Sequence, residues 1–360
     1  MSDNLQRRVQ EAIDELVVSG AERGLQVAVY RHGELIVDAV AGVADPATGR
    51  PVTPATPFFS YSIGKGVAAT AAHVLAEHGV LCYDTPIAEL WPEFAAHGKE
   101  RVTVRHALSQ SAGVPGLPAG ITVADLCDWS KMCAIVAGAE PWWEPGTKIG
   151  YHAVTFGYLV GEIIRRVAGK TISQVVLEEV ATPLGIQDEI FFRVPESERG
   201  RLARLEDAPR GQEMPPMPPD SPIFKIGPAE CMTAAYGNRD DVLGAEIPAG
   251  GTVTARGVAR MYAALLGEVD GVRLISPERL CEVTAVAMSG PDQIFGFPTS
   301  WGLGYSIDGV GVFGVGGVGG SYACANRTTD VAYALTKNRL APDFETAGRI
   351  GAIIAEATRD

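Results

Sequence analysis

The sequence predicts an α/β chain of the α+β kind: an antiparallel sheet flanked by helices, joined to a lobe that is all helix. Three observations predict it. Strand-like runs crowd both ends of the chain, helical periodicity fills the middle, and each end carries a helix outside its strands. One sheet built from both termini, with a helical region inserted between them, satisfies all three. The sheet lobe is assigned to residues 1–66 and 266–360, and the mostly helical lobe to 67–265.

Residues 1–16 (MSDNLQRRVQEAIDEL) form an amphipathic helix without the apolar core of a signal peptide. Runs 25–31 (LQVAVYR) and 34–43 (ELIVDAVAGV) are rich in β-formers, and Arg31-His32-Gly33 carries a turn signal, so they read as a hairpin. Phe58-Phe59-Ser60-Tyr61 is a strand or tight loop, and the Ala-rich stretch 67–78 is helical. In 154–167, Phe156, Leu159, Val160, Ile163, Ile164 and Val167 recur at helical spacing, and 256–266 is a further helix. Residues 206–230 hold seven prolines and form a loop, either a substrate wall or lid or a surface excursion. Runs 310–313, 321–326 and 331–336 read as successive antiparallel strands, and 344–358 as a closing helix.

Composition narrows the function. At 360 residues the chain can bury a large core, and 46% apolar residues with mixed charge is a globular balance. A net charge of −13, without a basic cluster, argues against nucleic acid or anionic membrane as a partner. No apolar run reaches the length of a membrane span. The six cysteines lack a C-x-x-C pair, which favours free thiols in a reducing, cytoplasmic setting over a disulfide framework. The six histidines show no metal-ligand spacing, and neither a metal site nor a cofactor is expected.

The chemistry centres on Ser62-Ile63-Gly64-Lys65. A separation of three residues is about one helical turn, so hydroxyl and amine can share a helix face. A desolvated lysine loses its proton more easily and can take one from a serine attacking a carbonyl. The helix amino end adds a positive field where an oxyanion would form. The tetrad alone reads more readily as an exposed lysine on an ordinary helix. Gly64 and Gly66, however, each cost about 1 kcal/mol against Ala in a helix, which implies that another group approaches the backbone there.

Two further segments bear on the site. Gly314 to Gly319 matches G-x-G-x-x-G, yet residues 321–336 beyond it alternate like a strand instead of opening a helix, so the dinucleotide reading is rejected. A glycine-rich strand edge fits better, with N–H groups free to face a substrate carbonyl. Tyr151, at a loop–helix junction, is a candidate proton carrier beside Ser62 and Lys65. His152 reads as a stabilising loop residue, with a Ser–His–acid triad as the competing mechanism, although no serine lies in a G-x-S-x-G elbow.

Taken in order, Ser62-x-x-Lys65, Tyr151-His152-Ala153 and Val315-Gly316-Gly317 before Val318 resemble the serine β-lactamase-like family. That family includes class C β-lactamases, family VIII esterases, D-amino-acid peptidases and transacylases, some of which act on capuramycin-type antibiotics. The resemblance extends through 107–118, 157–176, 181–186, 247–265 and 301–305. It implies a penicillin-binding-protein-like fold with the active site between the lobes. It further implies Ser62 as nucleophile, Lys65 as its proton acceptor, Tyr151 as proton shuttle, and the N–H groups of Ser62 and Val318 as oxyanion hole. Gly316, Gly317, Val315, His152 and Trp301 are carried as candidate substrate-binding residues.

Two departures shape the expected activity. The lactamases' Tyr-x-Asn is here Tyr151-His152-Ala153, and the Lys or His that usually opens the third motif is Val315. Both disfavour β-lactam hydrolysis, and a drier, less cationic site favours acyl transfer. The expectation is a transacylase that moves an acyl group from an ester or thioester to an amine or alcohol through acyl-Ser62, in secondary metabolism. Its partners would be a small-molecule acyl donor and acceptor. A carboxylesterase using the same acyl-enzyme is the first alternative, and a non-catalytic binding protein the second.

Overall fold

The computed structural model describes residues 2–209, 218 and 220–359. Nine strands form one antiparallel sheet in the order β3-β2-β1-β12-β11-β10-β9-β8-β7. They are β1 (Gly24–Arg31), β2 (Glu34–Asp45), β3 (Arg50–Pro51), β7 (Met288–Pro291), β8 (Pro298–Trp301), β9 (Ser306–Gly309), β10 (Val312–Gly316), β11 (Tyr322–Asn326) and β12 (Val331–Lys337). The two ends of the chain meet at β1–β12, in register from Leu25↔Lys337 to Arg31↔Val331. The β1–β2 turn places His32 (φ 52°) and Gly33 (φ 78°) in the left-handed region, as a two-residue hairpin of matching twist requires.

Strand β1 is buried on both faces. Because side chains alternate, Leu25, Val27 and Val29 meet one layer while Ala28 and Tyr30 meet the other. The first layer is α1 (Ser2–Val18) with the C-terminal helix α6 (Glu345–Ala357), contributing Leu5, Val9, Ile13, Ile350 and Ile354. On the opposite face lies α5 (Ala255–Leu266), packed on β1, β11 and β12. Ala28, Ala323, Ala332 and Ala334 keep that face low enough for the helix to sit close.

Beyond α5 comes α2 (Ile63–Glu77), buried along all but its last residue. Gly, Ala and Val dominate its surface, so it can pack on every side, touching β10 and the helical region that includes α3 (Trp129–Gly138) and α4 (Thr155–Ala168). A second small sheet, β4 (Phe58–Phe59), β6 (Thr252–Val253) and β5 (Ile190–Phe191) in the order β4-β6-β5, ties the entry to α2 to the segment before α5.

Strands β7, β8 and β9 are not evident from the sequence. Their segments MSGP, PTSW and SIDG carry glycine, proline and polar residues that blur the alternation. Helix α2 starts at Ile63, ahead of the Ala-rich run that signals it. Within the proline-rich loop, residues 210–217 and 219 lie outside the described residues. The part beyond them forms short 3₁₀ turns at Pro222–Lys225 and Ala229–Met232.

Candidate active site

The site grows from the junction of β4 and α2. Phe58 and Phe59 pair with Val253 and Thr252, the Ser60 N–H donates to the Gly251 carbonyl at 2.7 Å, and the Gly251 N–H donates to the Tyr61 carbonyl at 3.0 Å. Tyr61 then takes φ +50°, a left-handed conformation unfavourable for a bulky side chain. Its surroundings hold it there. The Tyr61 hydroxyl donates to the Thr233 carbonyl at 2.7 Å, and the ring packs edge-on to Phe59 and stacks with Tyr236. This sharp turn delivers Ser62 to the cap position of α2, where its Oγ makes no capping bond.

That Oγ is engaged elsewhere. Lys65 Nζ lies 2.8 Å from it and Tyr151 Oη 2.7 Å from it. Lys65 Nζ also donates to the Ala249 carbonyl at 3.2 Å and sits 4.9 Å from the centre of the Tyr151 ring. The glycines explain how these groups come so close. A Cβ on Gly64 would fall 2.5 Å from the Gly250 carbonyl carbon, so the first turn of α2 rests directly on the 248–251 segment that supplies the Ala249 carbonyl. Ser60, two residues from Ser62, donates its hydroxyl to the Phe58 carbonyl at 3.0 Å and is fully buried.

Burial sets the protonation states. Lys65 is wholly buried, with no carboxylate partner among the described residues, and desolvation lowers its pKa to about 7. Desolvation raises the Tyr151 phenol to about 12; the Ser62 hydrogen bond opposes the rise, and the nearby Asp292 charge adds to it. At neutral pH a large fraction of Lys65 is therefore neutral amine, while Tyr151 keeps its proton.

The third motif lies on β10 and the turn after it. A Cβ on Gly317 would fall 2.1 Å from the Ser60 carbonyl oxygen and 3.5 Å from the Ser62 nitrogen, so only glycine lets this strand end lie against the nucleophile's backbone. Val318 comes next, partly exposed. Among the described residues, neither the Ser62 nor the Val318 N–H donates to a protein acceptor, as two oxyanion donors would require. Gly316 faces the other way, where a Cβ would meet the Phe344 ring at 2.7 Å. Val315 is buried, its Cγ2 3.5 Å from a Cβ built on Gly66, which also stands 2.3 Å from the Tyr262 hydroxyl. That hydroxyl is buried and has no partner among the described residues.

His152 requires correction as a candidate for substrate contact or for a triad. It is buried, its Nε2 accepts the Val114 N–H at 3.1 Å, and its Nδ1 lies 2.7 Å from the Gly150 carbonyl. Donating at Nδ1 and accepting at Nε2 satisfies the neutral ring, and burial lowers its pKa to about 4. The residue ties the 110–114 turn to the Tyr151 loop. Trp301 packs against Tyr151, their ring centres 5.9 Å apart.

Three contributors are not evident from the sequence. Ala249 acts through a carbonyl, which no side-chain motif advertises. Gln110, with φ +60°, accepts the His152 N–H at 2.8 Å. Asp292, buried in the β7–β8 loop, accepts the N–H groups of Ile294 and Phe295 at 2.8 and 3.1 Å and sets Phe295 against Tyr151, ring centres 5.4 Å apart. The Pro-Asp pair at 291–292 marks a turn, but nothing local marks its distant target.

A serine hydroxyl held between a buried lysine and a phenol, with one free N–H at a helix amino end and a second on the turn after β10, is an arrangement that fits the penicillin-recognising fold. The Beta-lactamase family model matches residues 9–357, and the chain belongs to that family. It is 36% identical over 343 residues to the Esterase/beta-lactamase LipL of Mycobacterium tuberculosis, an alignment covering 88% of this chain and 77% of that protein. A solved family VIII carboxylesterase superposes with TM-score 0.89 at 32% identity, covering 99% of this chain and 97% of the other. A penicillin-binding protein homologue from Caulobacter crescentus gives 0.88 at 33%, covering 98% and 97%. These matches put the chain among esterase- and β-lactamase-like serine hydrolases.

Proposed function

We propose that the protein is a carboxylesterase that cleaves small neutral esters through an acyl-Ser62 intermediate. The observation that carries this is the joint contact of Lys65 and Tyr151 with Ser62 Oγ, at 2.8 and 2.7 Å. With Lys65 neutral, the 2.8 Å contact reverses: the Ser62 hydroxyl donates to Nζ as Oγ attacks the ester carbonyl. Magnitude decides which neighbour is the base, since a phenol near 12 is almost wholly protonated at pH 7 and an amine near 7 is not. Tyr151 then gives its proton to the departing alkoxide and recovers one from Lys65. The N–H groups of Ser62 and Val318 would hold the tetrahedral oxyanion. Water repeats the sequence in reverse to release the acid.

Acyl transfer to an alcohol or amine is a second outlet of the same intermediate. It is favoured by Val315, a buried apolar residue where related sites carry a cation that would help activate water. Ester cleavage takes first place because both the 36% identical curated relative and the 32% identical solved structure bear the word esterase. Without an asparagine at Ala153 or a cation at Val315, β-lactam turnover should fall well below ester turnover. Intact-protein mass spectrometry after mixing with an activated ester tests the proposal. Wild type and Ser60→Ala should gain one acyl mass and Ser62→Ala none; an unchanged adduct on Ser62→Ala would refute the nucleophile. Product analysis with and without added alcohols and amines then separates hydrolysis from transfer.

A further inference from the structure

The β7–β8 loop displays two phenylalanines that the mechanism above does not use. Phe295 and Phe297 are 37% and 55% exposed, their rings parallel within 10° and 5.5 Å apart. Large apolar groups at a loop tip ordinarily collapse inward or vary in position. These are held out by a braced loop. The carboxylate of Asp292 fixes the Ile294 and Phe295 N–H groups, the Gly296 N–H donates to the Asp292 carbonyl at 2.8 Å, and the Asp292 N–H donates to the Phe297 carbonyl at 3.0 Å. The Gln293 N–H pins the loop to the Ile149 carbonyl at 2.9 Å, two residues before Tyr151. Ile294 turns inward onto Ile223 and Ile226 of the proline-rich segment, with Tyr151 and Ala153 packed against the cluster.

The result is a row of aromatic faces, Tyr151 then Phe295 then Phe297, running outward from the phenol that touches Ser62 Oγ. We infer that the Phe295–Phe297 pair is the subsite for the alcohol half of the ester, and that it selects alcohols bearing an aromatic ring. This rests on the ester-cleaving role proposed for Ser62. The direction comes from proton bookkeeping. As the Ser62 Oγ–carbon bond forms and the carbon–alkoxy bond breaks, the alkoxide takes its proton from Tyr151 Oη, so the departing oxygen lies beside the Tyr151 hydroxyl and its substituent extends toward the neighbouring rings. The same place receives an aromatic alcohol as acceptor. Its oxygen then attacks the acyl-Ser62 carbonyl, its proton returns through Tyr151, and Ser62 Oγ leaves as the hydroxyl.

The test compares wild type with Phe297→Ala and Phe297→Leu on two ester pairs. Methyl and benzyl acetate share an acyl group, whereas methyl acetate and methyl butanoate share an alcohol. Loss of one face-to-face ring contact should lower the benzyl-to-methyl ratio of kcat/KM about tenfold in Phe297→Ala, with Phe297→Leu intermediate. The butanoate-to-acetate ratio should move less than about twofold. Partitioning of the acyl-enzyme toward benzyl alcohol over water should fall in step. Ratios within one variant cancel any loss of folded protein. An unchanged benzyl-to-methyl ratio, or an equal fall in the butanoate-to-acetate ratio, overturns the subsite. Wild-type protein that no ester acylates overturns the underlying reading instead, so the two failures are distinct.

Discussion

In the proposed mechanism Lys65 is the base, and its environment makes a test available. Burial lowers its pKa from 10.5 to about 7. Acylation by a neutral activated ester, read in a single turnover, should therefore rise with pH to a plateau, with its midpoint near 7. A solvent-exposed lysine would place that midpoint above about pH 10. A rate flat from about pH 5.5 to 8.5 would remove Lys65 as the base. Lys65→Ala should cost at least about a hundredfold, in the range of a lost general base. The same shift acts on stability. Between about pH 7 and 10.5 the unfolded chain holds the lysine proton and the folded chain does not, so this residue makes stability rise with pH across that window. Ser62, Lys65 and Tyr151 are legible in the sequence because a local spacing and a loop–helix junction carry their signal. Ala249 and Asp292 are not, since a carbonyl and a loop carboxylate acquire a role only once distant segments meet.

At the scale of elements, β10 explains why the third motif is so rich in glycine. Alternation sends Gly316 toward Phe344 and Val315 toward α2, and the strand end brings Gly317 onto the Ser60–Ser62 backbone. Residues 314–319 read as a glycine-rich strand edge in the sequence, and the structure has β10 there, running into the turn that holds Val318. Which glycine faces the nucleophile is not legible, because that depends on register with β11 and β9. Val315 and the orphan hydroxyl of Tyr262 both lie close to Gly66. Val315→His would restore the polar group that related third motifs carry at this position. Hydrolysis of a simple ester should then gain several-fold over transfer to a competing alcohol, measured as free acid against new ester in one reaction. An unchanged product ratio would mean that Val315 serves only packing.

Across the whole molecule, the fold closes by bringing the first and last strands together, and one buried ion pair marks the seam. Lys337, at the end of β12, donates to Glu22, which precedes β1, and Thr346 in α6 donates to the same carboxylate at 2.6 Å. Both partners of the pair are 2% exposed. The terminal strands and helices are legible from their periodicity, whereas this contact spans 315 residues and leaves no local trace. Its position ties the seam to the active site, for the Lys337 N–H donates to Ser321 Oγ and the Ser321 carbonyl accepts from Gly317. Removing one partner strands the other charge in the interior, at a cost of about 3–5 kcal/mol, whereas replacing both with apolar residues of similar volume is often neutral. Lys337→Met should therefore lower the denaturant midpoint clearly, and Glu22→Leu with Lys337→Met should recover most of the loss. Ester kcat should change in the same order if the seam also steadies the Gly317–Val318 turn. A double variant no more stable than Lys337→Met alone would show that the pair stabilises through more than charge compensation, the Thr346 hydrogen bond to Glu22 included.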